Sequence, residues 1–259
     1  MVEVFFNLGL VCTVLLVCRY TIFRLGGMPM LAISGPVGVV THELSHYLMC
    51  KIMGFKVAEV VLFRIPSAND NTCGYVNYYR PVHSLTAPVR AMLVSIAPIF
   101  GGGIMIIVVT QVLLGNELSG IMSYLLKGKL ESARVISISE YHMFYQAVWK
   151  HVIDKKDAWE IALWIYLCAS IAIHALPSKP DIEQARLGSL YVTIALACLI
   201  TYGFLWVVSW MAPTIIKSIA TITYGLVVGL IPVILIIGMV VLYKIILKIS
   251  LHRAANAES

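Results

Sequence analysis

Six apolar segments, each long enough to form a helix that crosses a lipid bilayer, occupy most of this 259-residue sequence. A spanning helix needs about 20 mainly apolar residues. The segments that meet this condition are residues 4–24, 28–53, 87–114, 159–178, 187–211 and 219–247. Charged residues make up only 12% of the chain, against about 25% in a typical soluble domain. The sequence therefore predicts an all-α polytopic membrane protein with about six transmembrane helices.

The charged residues near the first segment predict a retained span instead of a cleaved signal peptide. Glu3 is the only early charge, and Arg19 and Arg24 stand where a small-residue cleavage site would be needed. Basic residues divide almost evenly between the two sides of a six-span arrangement, so their count decides nothing. The long connection between the third and fourth spans counts for less, which favours cytoplasmic termini weakly. The net charge of +6 comes from Lys and Arg scattered at segment ends. It indicates a lipid bilayer as the partner and not a nucleic acid.

The second apolar segment carries the pattern H-E-x-x-H, formed by His42, Glu43 and His46. On a helix, residues four apart share one face, so the two imidazoles can bind the same metal ion. Such polar groups are costly inside a membrane, and those found there usually have a function. The pattern predicts a zinc hydrolase site. Glu43 is the predicted general base, which takes a proton from the attacking water and passes it to the leaving nitrogen.

A third zinc ligand has to come from another part of the chain, since catalytic zinc usually has three protein ligands. Asp181, which follows a proline-broken helix end, is the preferred candidate. Three other carboxylates flank spans as ordinary interfacial charges and are weaker candidates: Glu59, Glu160 and Glu183. His174 is a rival ligand, but we expect it to donate a hydrogen bond to the oxyanion that develops on a scissile carbonyl. A helix-end histidine bonded to a carbonyl is the third interpretation.

Two connections between the spans carry patterns of their own. Two β-prone runs, residues 57–63 and 74–79, surround a turn-rich stretch and predict a hairpin-like insertion at residues 55–80. The insertion is either a surface connector or a strand edge that pairs with an extended peptide. Residues 115–158 form the most polar connection, in which residues 135–152 predict an amphipathic helix at the membrane surface.

Small and sulfur-containing residues point mainly to packing. Three consecutive glycines at residues 101–103 favour close helix approach over a catalytic role. Ser34, Thr41 and Ser45 could line a water path to the site, although small polar residues in spans more often serve packing. The six cysteines form no C-x-x-C pair, so neither a disulfide framework nor a cysteine zinc site is predicted.

Together these features resemble the site-2 protease family of intramembrane zinc metalloproteases. The matching features are the H-E-x-x-H span with Gly54 after it, the β-prone segment, the glycine-rich span and the proline-flanked Asp181. They cover residues 28–190. The resemblance implies a three-span catalytic core in which His42, His46 and Asp181 bind zinc. It also implies cleavage of transmembrane or membrane-proximal segments of membrane proteins, at a site near the cytoplasmic face.

The chain departs from the family pattern around the aspartate, which is close to N-x-x-P-x-x-P-L-D-G. Here the aspartate comes one residue early, His174 replaces the asparagine, and Ile182 replaces the glycine. We divide the chain into a first span at residues 1–27, a catalytic membrane core at residues 28–190, and two C-terminal spans with a short tail at residues 191–259.

Three classes of function are compatible with these residues. The leading hypothesis is an intramembrane zinc endopeptidase that acts on a membrane-embedded protein or peptide. The alternative is a catalytically silent relative that binds membrane proteins or acts as a scaffold, against which the intact Glu43 argues. A transporter or channel with a polar midplane site is the third class, but the sequence has no repeated halves of the kind many transporters show. The sequence predicts neither the substrate's identity nor the oligomeric state.

Overall fold

The structure is a computed structural model that describes residues 2–65, 72–81, 84–115, 156–201 and 205–257, with five scattered positions between residues 139 and 150. The elements in chain order are α1 (Val2–Ile52), β1 (Lys56–Val61), β2 (Tyr75–Tyr79), α2 (Ala87–Leu114), α3 (Ala158–His174), α4 (Lys179–Thr201) and α5 (Leu205–Ala257). The two strands form one antiparallel sheet. The prediction of a mainly helical chain with a small strand pair after the H-E-x-x-H segment is confirmed.

Three helices in the described part of the chain are long and apolar enough to cross a membrane: Phe5–Ile52, Ala87–Leu114 and Ala212–Ser250. A fourth crossing results if α3 and the first part of α4, which meet at a bend of 55°, count as one broken span. The predicted six spans are not all separate helices. The first two are joined in α1, and α5 runs without interruption through residues 212–218, where a break was predicted.

Helix α1 contains a break at Gly27, whose φ of 58° and ψ of −148° are not helical. Glycine adopts a positive φ readily because it has no Cβ. An unbroken helix of this length would measure about 76 Å at about 1.5 Å per residue, well beyond a hydrocarbon core of about 30 Å. The break divides α1 into residues 2–26 and 28–52, which correspond to the first two predicted spans.

The end of α1 leads directly into the sheet. Gly54 has a φ of 71°, and the amides of Gly54 and Phe55 donate to the carbonyls of Lys51 and Cys50 at 3.1 and 2.9 Å. This pair of bonds is the Schellman motif, which satisfies the last helical carbonyls and turns the chain. Strand β1 follows at once. It pairs with β2 in a register that is irregular between residues 57 and 59.

The main core lies where α1, α2, α3 and α5 meet. Its fully buried side chains include Leu15, Ile106, Trp164 and Leu226, one from each helix. The Trp164 indole donates to the Thr110 hydroxyl at 3.0 Å, so the buried N–H has a partner. This core fixes the position of α3 against α1. A smaller apolar cluster seals the sheet against α1 and α2 and contains Cys50, Phe55, Ala91 and Val94.

The glycine-rich part of α2 faces a different neighbour at each position. Gly101 lies against the Ser45 side chain, Gly102 against Ala175, and Gly103 against the main chain of Ile222. A Cβ at any of these positions would press on the facing group. The placement of the three glycines agrees with the packing role that the sequence favours.

Two further predictions concern residues that the structure describes only in part. Most of the predicted amphipathic helix at residues 135–152 lies outside the described residues. The side chains of five cysteines are described, and all five are free thiols: Cys12, Cys18, Cys50, Cys73 and Cys168.

Candidate metal centre

Helix α1 presents His42 and His46 on one face, one turn apart, as the four-residue spacing predicts. Their Nε2 atoms lie 3.1 Å apart. The two rings meet edge to face with centroids 4.7 Å apart. His46 is only 6% exposed, and His42 is partly buried. Both imidazoles therefore direct the same nitrogen toward one small, shielded volume.

Main-chain carbonyls on two other helices orient the histidine rings. His42 donates from Nδ1 to the carbonyl of His174 at 2.7 Å, and His46 donates from Nδ1 to the carbonyl of Val94 at 2.8 Å. Since a carbonyl oxygen can only accept, each Nδ1 carries the hydrogen. In the neutral rings each Nε2 is then left with a free lone pair. Metal-binding histidines are typically held in this way by a hydrogen bond from the other ring nitrogen.

Asp181 enters the site from the first turn of α4, just after the bend that follows α3. Its Oδ2 accepts hydrogen bonds from the Ser178 amide at 2.7 Å and from the Ser178 hydroxyl at 2.5 Å. Ser178 thereby caps the helix, and an aspartate three residues after the cap returns the bond, as in a capping box. The preceding prolines break the chain at this point, and the cap fixes the direction of the carboxylate.

The three side chains form a compact set of potential metal ligands. Asp181 Oδ2 lies 3.5 Å from His42 Nε2, and Asp181 Oδ1 lies 3.3 Å from His46 Nε2. All three ligand atoms lie within 4.8 Å of one another. Ligands bound tetrahedrally to zinc at about 2.0–2.1 Å are roughly 3.3–3.4 Å apart. The Nε2–Nε2 distance and the two shortest Nε2–carboxylate distances, which end on different Asp181 oxygens, are close to that spacing, so a zinc ion is compatible with this set of ligands.

The electrostatics of this arrangement also favour a cation. If both rings are neutral, with their Nδ1 hydrogens donated to carbonyls, the two Nε2 lone pairs and the Asp181 carboxylate face one another with no hydrogen between them. Acceptors this close repel each other unless a positive charge lies between them. Two imidazoles and a carboxylate are a common ligand set for catalytic zinc. The group formed by His42, His46 and Asp181 could therefore hold a metal ion.

Glu43 lies beside this group but is not part of it. Its side chain is 7% exposed and lines the same cavity as the two histidines. Within the described part of the chain, no hydrogen bond holds its carboxylate. Gly74 approaches it so closely that a Cβ there would overlap the Glu43 side chain. The carboxylate is therefore available to a water or substrate group in the cavity.

His174 lies next to the metal group through its main chain. Its ring Nε2 is 3.1 Å from the Ser34 hydroxyl, which itself donates to the carbonyl of Met30. The ring therefore donates to Ser34 from Nε2, and in its neutral form Nδ1 is an acceptor. This arrangement does not favour an oxyanion donor. The carbonyl of His174 orients His42, and its ring is outside the ligand group.

The weaker ligand candidates have other contacts or lie apart from the group. Glu59 accepts a hydrogen bond from the Tyr75 hydroxyl at 2.9 Å on the exposed sheet. Glu160 belongs to the capping box at the start of α3 and pairs with Lys156 at 3.5 Å. Glu183 lines the cavity but is exposed and outside the ligand group.

A cavity of about 990 Å³ connects the metal group with the sheet and with the first half of α1. Residues 72–78, which include most of β2, form one continuous wall. Other walls carry apolar side chains such as Met28, Leu31 and Val39. The lining of this cavity differs from the predicted water path, because Ser34, Thr41 and Ser45 are not among the lining residues. Each donates its hydroxyl to the carbonyl one turn earlier in α1.

Several features of the site cannot be recognised from the sequence pattern alone. The carbonyls of Val94 and His174 are main-chain groups, and every residue has one. Arg19 and Tyr78 also line the cavity but belong to no metal motif. The Tyr78 hydroxyl is buried without a hydrogen-bond partner among the described residues, and burial raises the pKa of Tyr78. Its only sequence signal is its place in a β-prone run next to the predicted site.

Comparisons of the chain with protein-family models, with curated proteins and with solved structures found no match.

Proposed function

We propose that this protein is an intramembrane zinc metalloprotease that hydrolyses peptide bonds in or near transmembrane segments of other membrane proteins. The observation that carries the proposal is the group of His42, His46 and Asp181 with Glu43 beside it, all lining one cavity between apolar helices. Among the described residues, no hydrogen bond holds the Glu43 carboxylate. A purely structural metal site would not need Glu43. Its presence favours catalysis over the silent scaffold role.

In this proposal the resident metal is zinc, held by the Nε2 atoms of His42 and His46 and by the carboxylate of Asp181. The match between the ligand separations and a tetrahedral zinc site supports this assignment. When bound, zinc acts as a Lewis acid that polarises a carbonyl and makes a bound water more acidic. The carbonyls of His174 and Val94 and the Ser178 cap keep the three ligands in place.

Glu43 performs the proton transfers in this mechanism. Its carboxylate takes one proton from the attacking water as the new bond forms to the scissile carbonyl carbon. It then passes that proton to the amide nitrogen as the carbon–nitrogen bond breaks. The products are a carboxylic acid and an amine, and Glu43 returns to its starting state. His174 was predicted to stabilise the oxyanion, and in a neutral ring this role requires a hydrogen on Nδ1 in place of the donation from Nε2 to Ser34 that the Ser34–Met30 bond implies.

Strand β2 is the proposed binding surface for the substrate. It pairs with β1 along one edge, and in the described part of the chain no further strand covers its other edge. A strand edge can pair with an extended peptide through main-chain hydrogen bonds. A transmembrane substrate must leave its helical form before water can attack its main chain. Pairing with β2 would stabilise that extended form inside the cavity.

The family and the topology belong to the same proposal. The ligand pattern and the strand pair support a site-2-protease-like core within a multi-pass membrane protein, with six crossings and cytoplasmic termini as the predicted arrangement. The Gly27 break supports separate crossings by the two halves of α1, because the joined helix exceeds one bilayer thickness.

The proposal is tested with purified protein in liposomes and a panel of labelled single-span peptides. We expect fragments whose new ends mass spectrometry places within or beside the apolar segment. Chelation with 1,10-phenanthroline should abolish cleavage, and added zinc should restore it. Zinc-loaded, folded protein that cleaves no member of a broad panel would contradict the proposal.

A further inference from the structure

Among the described residues, Arg19 is the one lysine or arginine that lines the cavity beside the metal group. It belongs to the first half of α1, a segment apolar enough to cross a membrane. Its helix neighbours Leu15 and Ile22 are fully buried in the core, so this face of the helix points inward. A guanidinium at such a position is costly, and charged side chains in spans usually mark a functional site.

The contacts of Arg19 leave most of its hydrogen-bonding capacity unused. Its Nη1 donates to the carbonyl of Leu176 at 3.5 Å, at the outer limit for a hydrogen bond. A guanidinium has five N–H donors. Among the described residues, no carboxylate lies within ion-pair distance of it. Asp181 acts on it electrostatically, but both Asp181 oxygens already face the two histidines and Ser178.

Two other described arginines have contacts that account for them. Arg90 donates to the Met53 carbonyl and the Ser84 hydroxyl and lies over the Phe55 ring, so it ties α2 to the end of α1. Arg24, one turn and one residue after Arg19, is exposed and donates to the Tyr20 hydroxyl at 2.6 Å. Arg19 has no comparable structural role in the described part of the chain.

We propose that Arg19 binds a carboxylate of the peptide substrate and so selects segments with an acidic group near the scissile bond. The planar fork of a guanidinium matches a carboxylate with two parallel hydrogen bonds. Arg19 lies beside the bend between α3 and α4, next to Leu176, and faces the cavity from the side of α1. This inference rests on the proposed function, because it assumes that the cavity receives a peptide.

Two sources can supply the carboxylate, an acidic side chain or a free C-terminus. Both present the same group to Arg19 but have different consequences. A side chain would make Arg19 a sequence filter for an endopeptidase, whereas a terminus would direct the site to peptide ends. A peptide is favoured over an anionic lipid as the occupant, because residues 75–78 of β2 line the cavity and, in the described part of the chain, no further strand covers the other edge of β2.

The experiment measures binding and not turnover, with the Glu43→Gln protein in detergent micelles. Three fluorescent peptides share one apolar sequence. The neutral peptide has a glutamine and a C-terminal amide. The second peptide has a glutamate in place of the glutamine, and the third keeps the glutamine but has a free C-terminus. We expect one carboxylate peptide to bind at least about tenfold more tightly than the neutral peptide. The preference should vanish in Arg19→Met and persist in the matched control Arg24→Met.

Each outcome decides the inference. The arm that gains affinity identifies the source of the carboxylate. Equal affinities for all three peptides, or a preference that survives Arg19→Met, would overturn the inference that Arg19 binds a peptide carboxylate. Loss of phosphatidylglycerol binding in Arg19→Met without any peptide preference would assign the cation to a lipid and overturn it too. If Arg19→Met does not fold, Arg19→Gln keeps donors for Leu176 and removes the charge. Since no cleavage is measured, failure of the protease proposal remains a separate result.

Discussion

His42 donates its Nδ1 hydrogen to the main-chain carbonyl of His174, with 2.7 Å between the two atoms. This bond crosses from α1 to the last residue of α3. It fixes the ring so that Nε2 faces His46 and Asp181. The bond depends on close approach of the two helices, which Gly38, one turn before His42, permits. A Cβ at Gly38 would overlap the Ser170 carbonyl and the His174 ring.

Gly38→Ala should therefore destabilise the protein and weaken the metal site together. The added methyl group has to push α3 away from α1, and overpacking of this kind typically costs about 1–3 kcal/mol. The free energy of unfolding, measured by denaturant titration in micelles, and the zinc content should both fall. Gly9→Ala in the same helix is the control, because nothing lies within 4 Å of a Cβ there. Equal stability of the two variants would contradict the packing argument.

Asp181→Ala should remove most of the bound zinc. The variant deletes the only carboxylate of the three-residue ligand group, leaving two imidazoles. Zinc per protein is measured by elemental mass spectrometry after dialysis against a weak chelator. The matched control is Glu183→Ala, which removes a cavity carboxylate on the same helix turn but outside the group. Undiminished zinc in Asp181→Ala would refute the assignment of the third ligand.

Ser178→Ala should lower the affinity for zinc without abolishing binding. The Ser178 hydroxyl holds Asp181 Oδ2 at 2.5 Å, and loss of such an outer contact typically costs about 10–100-fold in metal affinity. A competition titration with a zinc-binding dye measures the change. Ser189→Ala, within the helix that Ser178 caps, is the control, since the Ser189 hydroxyl is exposed and, among the described residues, bonds only to the Arg186 carbonyl. An unchanged dissociation constant would show that the cap does not position the carboxylate.

His174→Phe should keep the zinc, because the main chain of His174 and not its ring contacts His42. The centroids of the His174 and Phe23 rings are 5.6 Å apart, and phenylalanine at position 174 retains a ring of similar size against Phe23. Loss of zinc in the variant would make the ring a ligand after all. With zinc retained, a fall in cleavage of about 100-fold or more would be the result expected of an oxyanion donor. A small change would leave His174 as a positioning residue.

The proximity of His42, His46 and Asp181 could be predicted from the sequence because the two main signals for it are local. Four-residue spacing places His42 and His46 on one helix face wherever that helix packs. The prolines around Asp181 mark a helix break, and a carboxylate at such a break can turn toward a neighbour. The aspartate is one residue early against the family pattern, and the structure accommodates it as the third residue after the Ser178 cap.

The groups that orient the metal ligands and the ends of the helices depend on tertiary structure, so local sequence patterns did not predict them. The carbonyls that orient the histidines come from α2 and α3, whose approach is not encoded in any local pattern. No local sequence pattern distinguishes Gly38 from other glycines in apolar segments, because its importance comes from its contacts with Ser170 and His174. The span count differed because an apolar window indicates membrane compatibility and not helix ends. Pro213 lies near the predicted break, yet α5 continues past it.

The most direct test of the central claim compares the wild-type protein with Glu43→Gln, measuring zinc content and cleavage of the single-span peptide panel in the same liposomes. Glu43 is outside the ligand group and is the proposed carrier of the proton. The account predicts that the variant retains zinc at the wild-type level and loses cleavage. Equal cleavage by the two zinc-loaded proteins would contradict it.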